Sequence, residues 1–559
     1  ALTQDVAHTT LVTPRRRALH RRAADALAAL YPDRLADLAP RLAHHYLEAE
    51  AWGEAATHAR RAATLASRAW ANTEALARYD QALHAAVRAG LPLVERREIL
   101  QARAEVHAVL GHFEPARADL EAALALADGD AVGQGRVLSA LGALWGGHRD
   151  YARGLDLTRQ AVGLLTPAGE RRALADAQAQ LGVMLLNLAQ VTESVRELQA
   201  ALTLFEELDD VAGQGRTLEI LGMNRWLSGD IPGAITALEP AITMLRAVGD
   251  RRAEIAALVS LGAARTLSEG IDAGRPPMAA ALEGAVALGA RSDEAFVRGT
   301  GAYLALAFGL WGEAYSEATA ALAIARDLQH REWTVYALSS LGRVHALCGD
   351  AAQARALHGE QLEIARQLGA SIWIAEALGR LGQALFRGGD LAAARPLLEE
   401  AVAVAGECAE RAVYPLLTLG ELALREGRPD DALAMIERFH AVGSVYRPLR
   451  IEAAWIAAAA RAARGNPTAA AEAIESLGAV IRDADAFGMP AARWRAALER
   501  VRLLHNHGRT EAAGREARET RALLERFASA LPEPLAQMFR QSEAMRCASS
   551  LFASAATVE

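Results

Sequence analysis

The sequence predicts an all-α protein, a right-handed α-solenoid of stacked helix pairs with a period of about 40 residues. Hydrophobic residues make up 52% of the 559 residues and aromatic residues only 5%, so the apolar fraction is mostly aliphatic. Runs such as IAAAARAAR (456–464) combine alanine with arginine, two of the strongest helix formers. No segment alternates polar residues with Val, Ile or Thr over the length of a strand.

A Leu-Gly pair carries the repeat. It occurs at 141–142, 181–182, 221–222, 261–262, 341–342 and 381–382, in register with a 40-residue step. The step at 301 keeps only its glycine, and a further pair follows at 419–420. One helix pair cannot bury its apolar face alone, so successive pairs must stack.

Other positions keep the same register. Thirteen residues after the repeat leucine come small residues such as Ala234, Ala314, Ala354 and Ala394. Twenty residues after it come Ala161, Ala201, Ala241, Ala281, Ala321 and Ala401. Turns of the form SGD (228–230), CGD (348–350) and GGD (388–390) separate the two predicted helices of a pair. These small residues predict close helix crossings, and weaker copies on both sides bring the total to about eleven or twelve pairs.

This arrangement resembles the tetratricopeptide repeat, which has Leu-Gly in its first helix and two alanines in its second. The usual period is about 34 residues, so 40 implies longer helices or a longer connection. The predicted organisation has junction helices at 1–40 and irregular repeats at 41–130. Regular repeats follow at 131–440, irregular C-terminal repeats at 441–530 and a tail at 531–559.

The first 65 residues carry a second resemblance. The segments ALTQ, RRRALH, LYPDRL and LAHHY resemble the junction that follows the nucleotide-binding module of bacterial STAND-type ATPases. That group includes adenylate cyclases with an ATPase and LuxR-type transcription regulators. The ending LPEPLAQMFRQSE (531–543) is similar to the closing segment of the same family.

The resemblance implies a non-enzymatic repeat scaffold, the sensor or regulatory region of a signal-transduction ATPase whose ATPase module lies outside this chain. Its partners would be a protein segment or small inducer in the concave groove, and the upstream effector module. A stand-alone adaptor for protein–protein interaction is the alternative, and a catalytic chain is a weaker one. No nucleophile with its base can be assembled from the sequence, so we expect no catalytic residue and no cofactor.

Composition narrows the partners further. The formal net charge is −8 and the pI is about 6.1, which does not favour direct nucleic-acid binding. All basic side chains are arginine, so a Walker A lysine is excluded from this chain. Three widely spaced cysteines suggest neither a disulfide framework nor a metal site. No apolar run reaches the ~18–20 residues of a membrane span, and a cytoplasmic location is expected.

Several motifs could suggest other sites. GQGR at 133–136 and 213–216 lacks the third glycine of a dinucleotide fingerprint, so we interpret it as the loop and opening turn of a repeat's first helix. The arginines at 15, 16, 17, 21 and 22 are interpreted as a solvated helix face or a docking surface. His44 and His45 are adjacent and point to different faces of a helix. No ligand at zinc-like spacing accompanies them or the pair His505 and His507, so no metal is expected.

The concave groove is the candidate site. In tetratricopeptide repeats it is lined by first-helix positions five and two before the repeat leucine, and two and five after it. When these four positions are applied to the 40-residue register, the resemblance implies the following groove residues: Arg136, Arg216, Glu219, Trp226, Tyr303, Tyr336, Ser339, Arg343, Glu376, Gln383, Phe386, Tyr414 and Glu421. Exposed Trp, Tyr and Arg are typical of recognition surfaces. The alternative is that individual members are packing residues.

Overall fold

The computed structural model describes residues 12–408, 410–443, 447–465 and 467–556. These described parts contain α-helices and one 3-10 turn but no strand, so the predicted all-α class of stacked helix pairs is confirmed. The start of the predicted junction, residues 1–11, lies outside the described residues. None of the described helices is long and apolar enough to cross a membrane.

The chain divides into two compact units. The first comprises Ala1–Trp145, Arg153–Gln180 and Leu288–Ala290, and the second comprises Gly146–Ala152, Leu181–Ala287 and Arg291–Glu559. The first helices along the chain are α1 Thr13–Leu30, α2 Ala39–Glu48, α3 Trp52–Arg68, α4 Asn72–Arg88, α5 Leu93–Val109 and α6 Phe113–Ala125.

The regular repeats follow as alternating first and second helices. They are α7 Ala131–His148, α8 Tyr151–Ala168, α9 Arg171–Asn187, α10 Val191–Glu207, α11 Val211–Ser228, α12 Ile231–Val248, α13 Arg251–Glu269, α14 Ile271–Leu288, α15 Arg291–Ala307, α16 Trp311–Asp327, α17 Arg331–Cys348, α18 Ala351–Leu368, α19 Ser371–Arg387, α20 Leu391–Val404, α21 Glu410–Arg425 and α22 Pro429–Val442. The C-terminal helices are α23 Arg447–Ala463, α24 Pro467–Ala486, α25 Pro490–Asn506, α26 Thr510–Ala530, α27 Glu533–Arg540 and α28 Glu543–Ala556.

The Gly-Asp turns explain where one helix ends and the next begins. Gly229 ends α11 with φ +94°, a left-handed conformation that favours glycine. The next residue, Asp230, caps α12 because its carboxylate accepts a hydrogen bond from the Gly233 amide at 3.0 Å. Asp350 and Asp390 cap α18 and α20 in the same way. Each turn therefore satisfies helix-terminal groups on both of its sides.

The repeat's small residues lie where paired helices cross. A Cβ at Gly222 would lie 2.4 Å from Leu238 Cγ, and one at Gly382 would lie 2.7 Å from Leu398 Cγ. The alanines thirteen and twenty residues after the repeat leucine are fully buried or nearly so, as predicted. In these pairs the crossing is built from a leucine packed on a glycine, and in others Thr158, Met278 or His358 takes the place of the leucine, so no space is left for an added methyl group.

The C-terminal helices of the second unit pack back onto its middle repeats. Leu449 and Ile456 of α23 share a core with Leu261 of α13 and Leu304 of α15. At another contact the Trp311 ring of α16 stacks on Phe527 of α26, with centroids 4.5 Å apart. These contacts follow from no repeat position, and they place α23 beside first helices α13 and α15 and α26 beside second helix α16.

We expect Gly222→Ala to lower the free energy of unfolding by about 1–3 kcal/mol, because the new methyl group overlaps Leu238. Gly359→Ala in α18 is the matched control, since a Cβ there meets nothing within 4 Å. The control should be stabilised by about 0.5–1 kcal/mol, since alanine favours helix over glycine. Urea denaturation followed by circular dichroism measures both. Stabilisation of both variants would contradict the proposed close contact.

Candidate binding groove

A cavity in the second unit is lined by the first helices of six helix pairs. Its empty space is about 750 Å³, which includes open solvent. Side chains come from α9, α11, α15, α17, α19 and α21: Leu186, Asn187, Met223, Trp226, Leu227, Phe296, Tyr303, Glu332, Trp333, Tyr336, Ile372, Trp373, Glu376, Arg411 and Tyr414. We call it the aromatic cavity, because seven of these side chains are Trp, Tyr or Phe.

The aromatic rings form packed neighbours from one helix to the next. Phe296 stacks on Trp333 with centroids 4.8 Å apart, and Tyr336 lies 5.4 Å from Trp373. Indole N–H groups are held as well: Trp373 Nε1 donates to Glu332 Oε1 at 3.2 Å. These contacts fix the rings, so the cavity presents rigid apolar faces with little conformational entropy left to lose on binding.

Glu376 is the buried acidic centre of the site. Its carboxylate accepts hydrogen bonds from Arg380 Nε at 2.8 Å, Arg411 Nη1 at 3.0 Å and Ser339 Oγ at 3.0 Å. Burial by itself raises the pKa of Glu376, but the charges of Arg380 and Arg411 outweigh it and lower the pKa below its usual range. Glu376 is therefore ionised at neutral pH, and its charge holds both arginines.

A second cavity, of about 660 Å³, lies between the repeats and the C-terminal helices of the same unit. We call it the arginine cavity, because Arg343, Arg380, Arg387 and Arg495 line it. Tyr414 lines both cavities, so they adjoin. Arg380 lies over the Tyr414 ring at 4.0 Å, and Arg343 lies 5.3 Å from the Tyr303 ring. These cation–π contacts orient the guanidinium groups.

The structure brings together some of the residues that the sequence predicted for the groove. The aromatic cavity contains Trp226, Tyr303, Tyr336, Glu376 and Tyr414, and the arginine cavity contains Arg343, Gln383 and again Tyr414. The remaining six line neither cavity: Arg136, Arg216, Glu219, Ser339, Phe386 and Glu421.

Those six fall into different environments. Glu219 and Ser339, both two before the repeat leucine, are buried, because this position faces the neighbouring helix. Phe386 is buried in the core with Leu398 and Leu419. Arg216 pairs with Asp250 at 3.0 Å. Of the other two, Arg136 belongs to the first unit and lies 3.8 Å from Glu170. Glu421 is half-buried, and its charge partly opposes the lowering of the pKa of Arg387 by burial.

Six polar or aromatic residues that line the aromatic cavity were missed by the sequence: Asn187, Phe296, Glu332, Trp333, Trp373 and Arg411. Trp333, Trp373 and Arg411 each lie three residues before a predicted groove residue, so they share its helical face one turn earlier. The same i−3 spacing, applied to Tyr336, Glu376 and Tyr414, would have found them. The groove face is therefore one turn longer than the four-position register implies.

The GQGR motif is not a loop. In the second copy, all four residues lie inside α11, whose N-cap Asp210 accepts a hydrogen bond from the Gly213 amide at 3.0 Å. A Cβ at Gly213 would lie 2.2 Å from the Phe205 ring, and one at Gly215 3.0 Å from Leu245. The predicted opening turn of a first helix is observed, but the predicted loop was wrong, because these glycines allow close helix packing and do not supply flexible backbone. The first copy lies inside α7.

The histidines of the first unit are closer than the sequence suggested. His20 of α1 lies beside His44 and His45 of α2, and one ring nitrogen from each lies within 4.8 Å of the others. His20 Nδ1 and His45 Nδ1 are 2.9 Å apart. Burial, then the charges of His20, His44 and Arg41, lower the pKa of His45. Three neutral imidazoles suit a metal ion, but the positive charge of Arg41 opposes a dication.

His20 therefore corrects the statement that no third ligand accompanies the His44–His45 pair. It comes from another helix, a distance in sequence that no local spacing indicates. In the nearby arginine cluster, Arg17 pairs with Glu50, and Arg21 pairs with Glu54 at 2.6 Å. Part of that cluster is thus neutralised within the unit itself.

Comparison with known proteins identifies the repeat in one part of the chain. Residues 333–407 match the tetratricopeptide repeat family. Those residues carry Tyr336, Arg343, Glu376 and Arg380, so much of the polar site lies on recognised repeats. No curated protein matches the chain.

Three solved structures share low similarity with the chain. A Rap protein complexed with competence and sporulation factor has a TM-score of 0.46 and 14% identity over 64% of this chain and 99% of its own. A STAND protein with a tetratricopeptide repeat sensor, from Pyrococcus horikoshii, has a TM-score of 0.40 and 14% identity over 60% of this chain and 54% of its own. BtubC from P. vanneervenii has a TM-score of 0.31 and 18% identity over 41% and 92%.

Glu376→Gln should lower the free energy of unfolding by about 3 kcal/mol, because it leaves Arg380 and Arg411 buried without a carboxylate. Glu363→Gln, at an exposed position of the neighbouring helix α18, is the control and should change stability by less than about 0.5 kcal/mol. Chemical denaturation monitored by tryptophan fluorescence measures both. Equal stability of the two variants would show that the ion pairs contribute little.

The pH dependence of the free energy of unfolding should reflect the titration of Glu219. Burial, followed by the charge of Asp250, raises the pKa of Glu219 to about 8. An unfolded glutamate titrates near ~4.3, so between these values the folded protein holds a proton that the unfolded chain releases. The stability that this proton supplies is present at low pH and is lost as the pH rises through about 8.

Glu219→Gln should therefore gain stability relative to the unmodified protein between about pH 5 and about pH 8, by up to about 4 kcal/mol. Unfolding midpoints at both pH values, measured in parallel, test this. A constant difference across the range would mean that Glu219 titrates normally.

Proposed function

We propose that this chain is a non-catalytic binding scaffold that recognises a protein segment or small inducer in the groove formed by the two cavities. The observation that carries the proposal is the aromatic cavity with its buried ionised Glu376 and adjoining arginines. Fixed aromatic faces with a few convergent charged groups are typical of recognition sites. The match of residues 333–407 to tetratricopeptide repeats, which serve protein–protein interaction, supports the same function.

We further propose that the scaffold is the sensor region of a bacterial STAND-type signal-transduction ATPase located in the cytoplasm, linked to transcription regulation or cyclase activity. The support is the junction-like sequence RRRALH, LYPDRL and LAHHY within the first 65 residues. Binding in the groove would then release or restrain the effector module. Sequencing the parent gene tests this, and a reading frame that lacks Walker motifs would leave the stand-alone adaptor as the function.

Replacing groove residues should abolish partner binding. Trp226→Ala removes an aromatic wall and should weaken binding of a captured partner at least about tenfold, the loss typical of a binding hot spot. Tyr315→Ala is a suitable control, because Tyr315 is half-buried on second helix α16 and lines neither cavity. Affinity capture from the source cell followed by titration calorimetry measures the change. Binding lost in the control but kept in Trp226→Ala would place the site elsewhere.

A further inference from the structure

The arginine cavity holds more positive charge than the described residues neutralise. Its charged lining side chains are Arg343, Arg380, Arg387 and Arg495, with only Glu452 of opposite sign. Arg495 Nη1 donates to Glu452 at 3.0 Å, and Arg380 Nε donates to Glu376 at 2.8 Å. In the part of the chain that the structure describes, no carboxylate lies within ion-pair distance of Arg343 or Arg387. The charge of Glu376 acts on Arg343, and the charges of Glu421 and Glu452 act on Arg387, but burial and the neighbouring arginines outweigh them.

Donor groups in this cavity also lack acceptors. Arg343 Nη1 and Arg380 Nη2 are buried and donate to no described atom. The side chain of Arg380 is only 3% exposed. A buried guanidinium donor without an acceptor costs free energy, so such groups are retained where a ligand supplies the acceptor.

The titration behaviour of these arginines agrees with an excess of positive charge. Burial, followed by the charge of Arg380, lowers the pKa of Arg343. Burial, followed by the charge of Arg495, lowers the pKa of Arg387 to about 10. Both arginines remain charged at neutral pH, and an anion in the cavity would relieve both the repulsion and the lost hydration.

We infer that the arginine cavity binds an oxyanion, a carboxylate or phosphate group, on a ligand whose apolar body lies in the adjoining aromatic cavity. Tyr414, which lines both cavities, lies between the two ends of that ligand. Guanidinium groups recognise carboxylate and phosphate through charge-assisted hydrogen bonds, and aromatic faces bind an apolar body. The inference rests on the proposed groove function and assigns a chemical class to its ligand.

The first experiment compares matched anionic and neutral probes on the full chain. Titration calorimetry with 3-phenylpropionate and phenyl phosphate should show binding, and the neutral isostere 3-phenylpropionamide should bind at least about tenfold more weakly. The peptide Ser-Gly-Leu-Trp with a free C-terminal carboxylate, compared with its amide, distinguishes a peptide terminus from a free organic acid. Equal binding of acid and amide in both arms, or no binding of any anionic probe, would overturn the inference.

The second experiment removes charge while keeping the length of the side chain. Arg343→Met and Arg387→Met should each weaken binding of the preferred anionic probe about tenfold. Arg355→Met, at an exposed position of α18, is the matched control and should bind as the unmodified protein does. The thermal midpoint of Arg343→Met without a probe should be no lower than that of the unmodified protein, because the change removes a half-buried cation whose buried Nη1 donor has no acceptor.

If Arg343 and Arg387 only stabilised the fold, their replacement would lower the thermal midpoint and leave the affinity for the probe unchanged. A lower midpoint in both methionine variants together with unchanged probe affinity would overturn the inference. The proposed function has its own readout. If a captured partner depends on Trp226 but binds Arg343→Met and Arg387→Met normally, the groove function stands and the anion site fails. If neither binding of the captured partner depends on Trp226 nor binding of the anionic probe depends on Arg343 and Arg387, the proposed function fails as well.

Discussion

The close contact between the two helices of each repeat is the constraint on which the rest of the structure depends. A side chain of the second helix, most often leucine, packs directly on glycine of the first, as Leu238 does on Gly222 and His358 on Gly342. This contact sets the distance and the rotation of the helices, because neither can turn without bringing a bulky side chain into the crossing. First helices held in the same orientation present equivalent positions side by side, and Tyr336 and Glu376 share one cavity wall for this reason.

The charges inside the groove are balanced only in part. Glu376 neutralises two arginines through good hydrogen bonds, and a buried carboxylate is tolerated there because every bond it accepts comes from a fixed donor. Arg343 and Arg387 are half-buried without such a partner among the described residues. Apolar side chains at these positions would avoid the cost of holding these charges, and the proposed anion site gives a reason for keeping the arginines.

The C-terminal helices give the groove its second half. Repeat first helices alone would form an open face, but residues of α23 and α25 complete the lining of the arginine cavity. The C-terminal helices are held by apolar contacts such as Trp311 with Phe527 and Phe539, and Trp311 itself lines the arginine cavity. The apolar contacts that hold these helices therefore lie beside the charged lining.

The sequence by itself determined the helices, the Gly-Asp turns between them and the crossing of each pair, because these depend on short-range periodicity and on the size of residues at fixed spacing. It also identified Trp226, Tyr303, Tyr336, Glu376 and Tyr414 for the face that lines the aromatic cavity. Only the tertiary structure decided that Glu219, Ser339 and Phe386 are buried, that α23 and α25 line the arginine cavity and that His20 joins His44 and His45. The repeat period predicts which face of its own helix a residue occupies. What covers that face is determined by segments that come together from distant parts of the chain, and no local spacing encodes them.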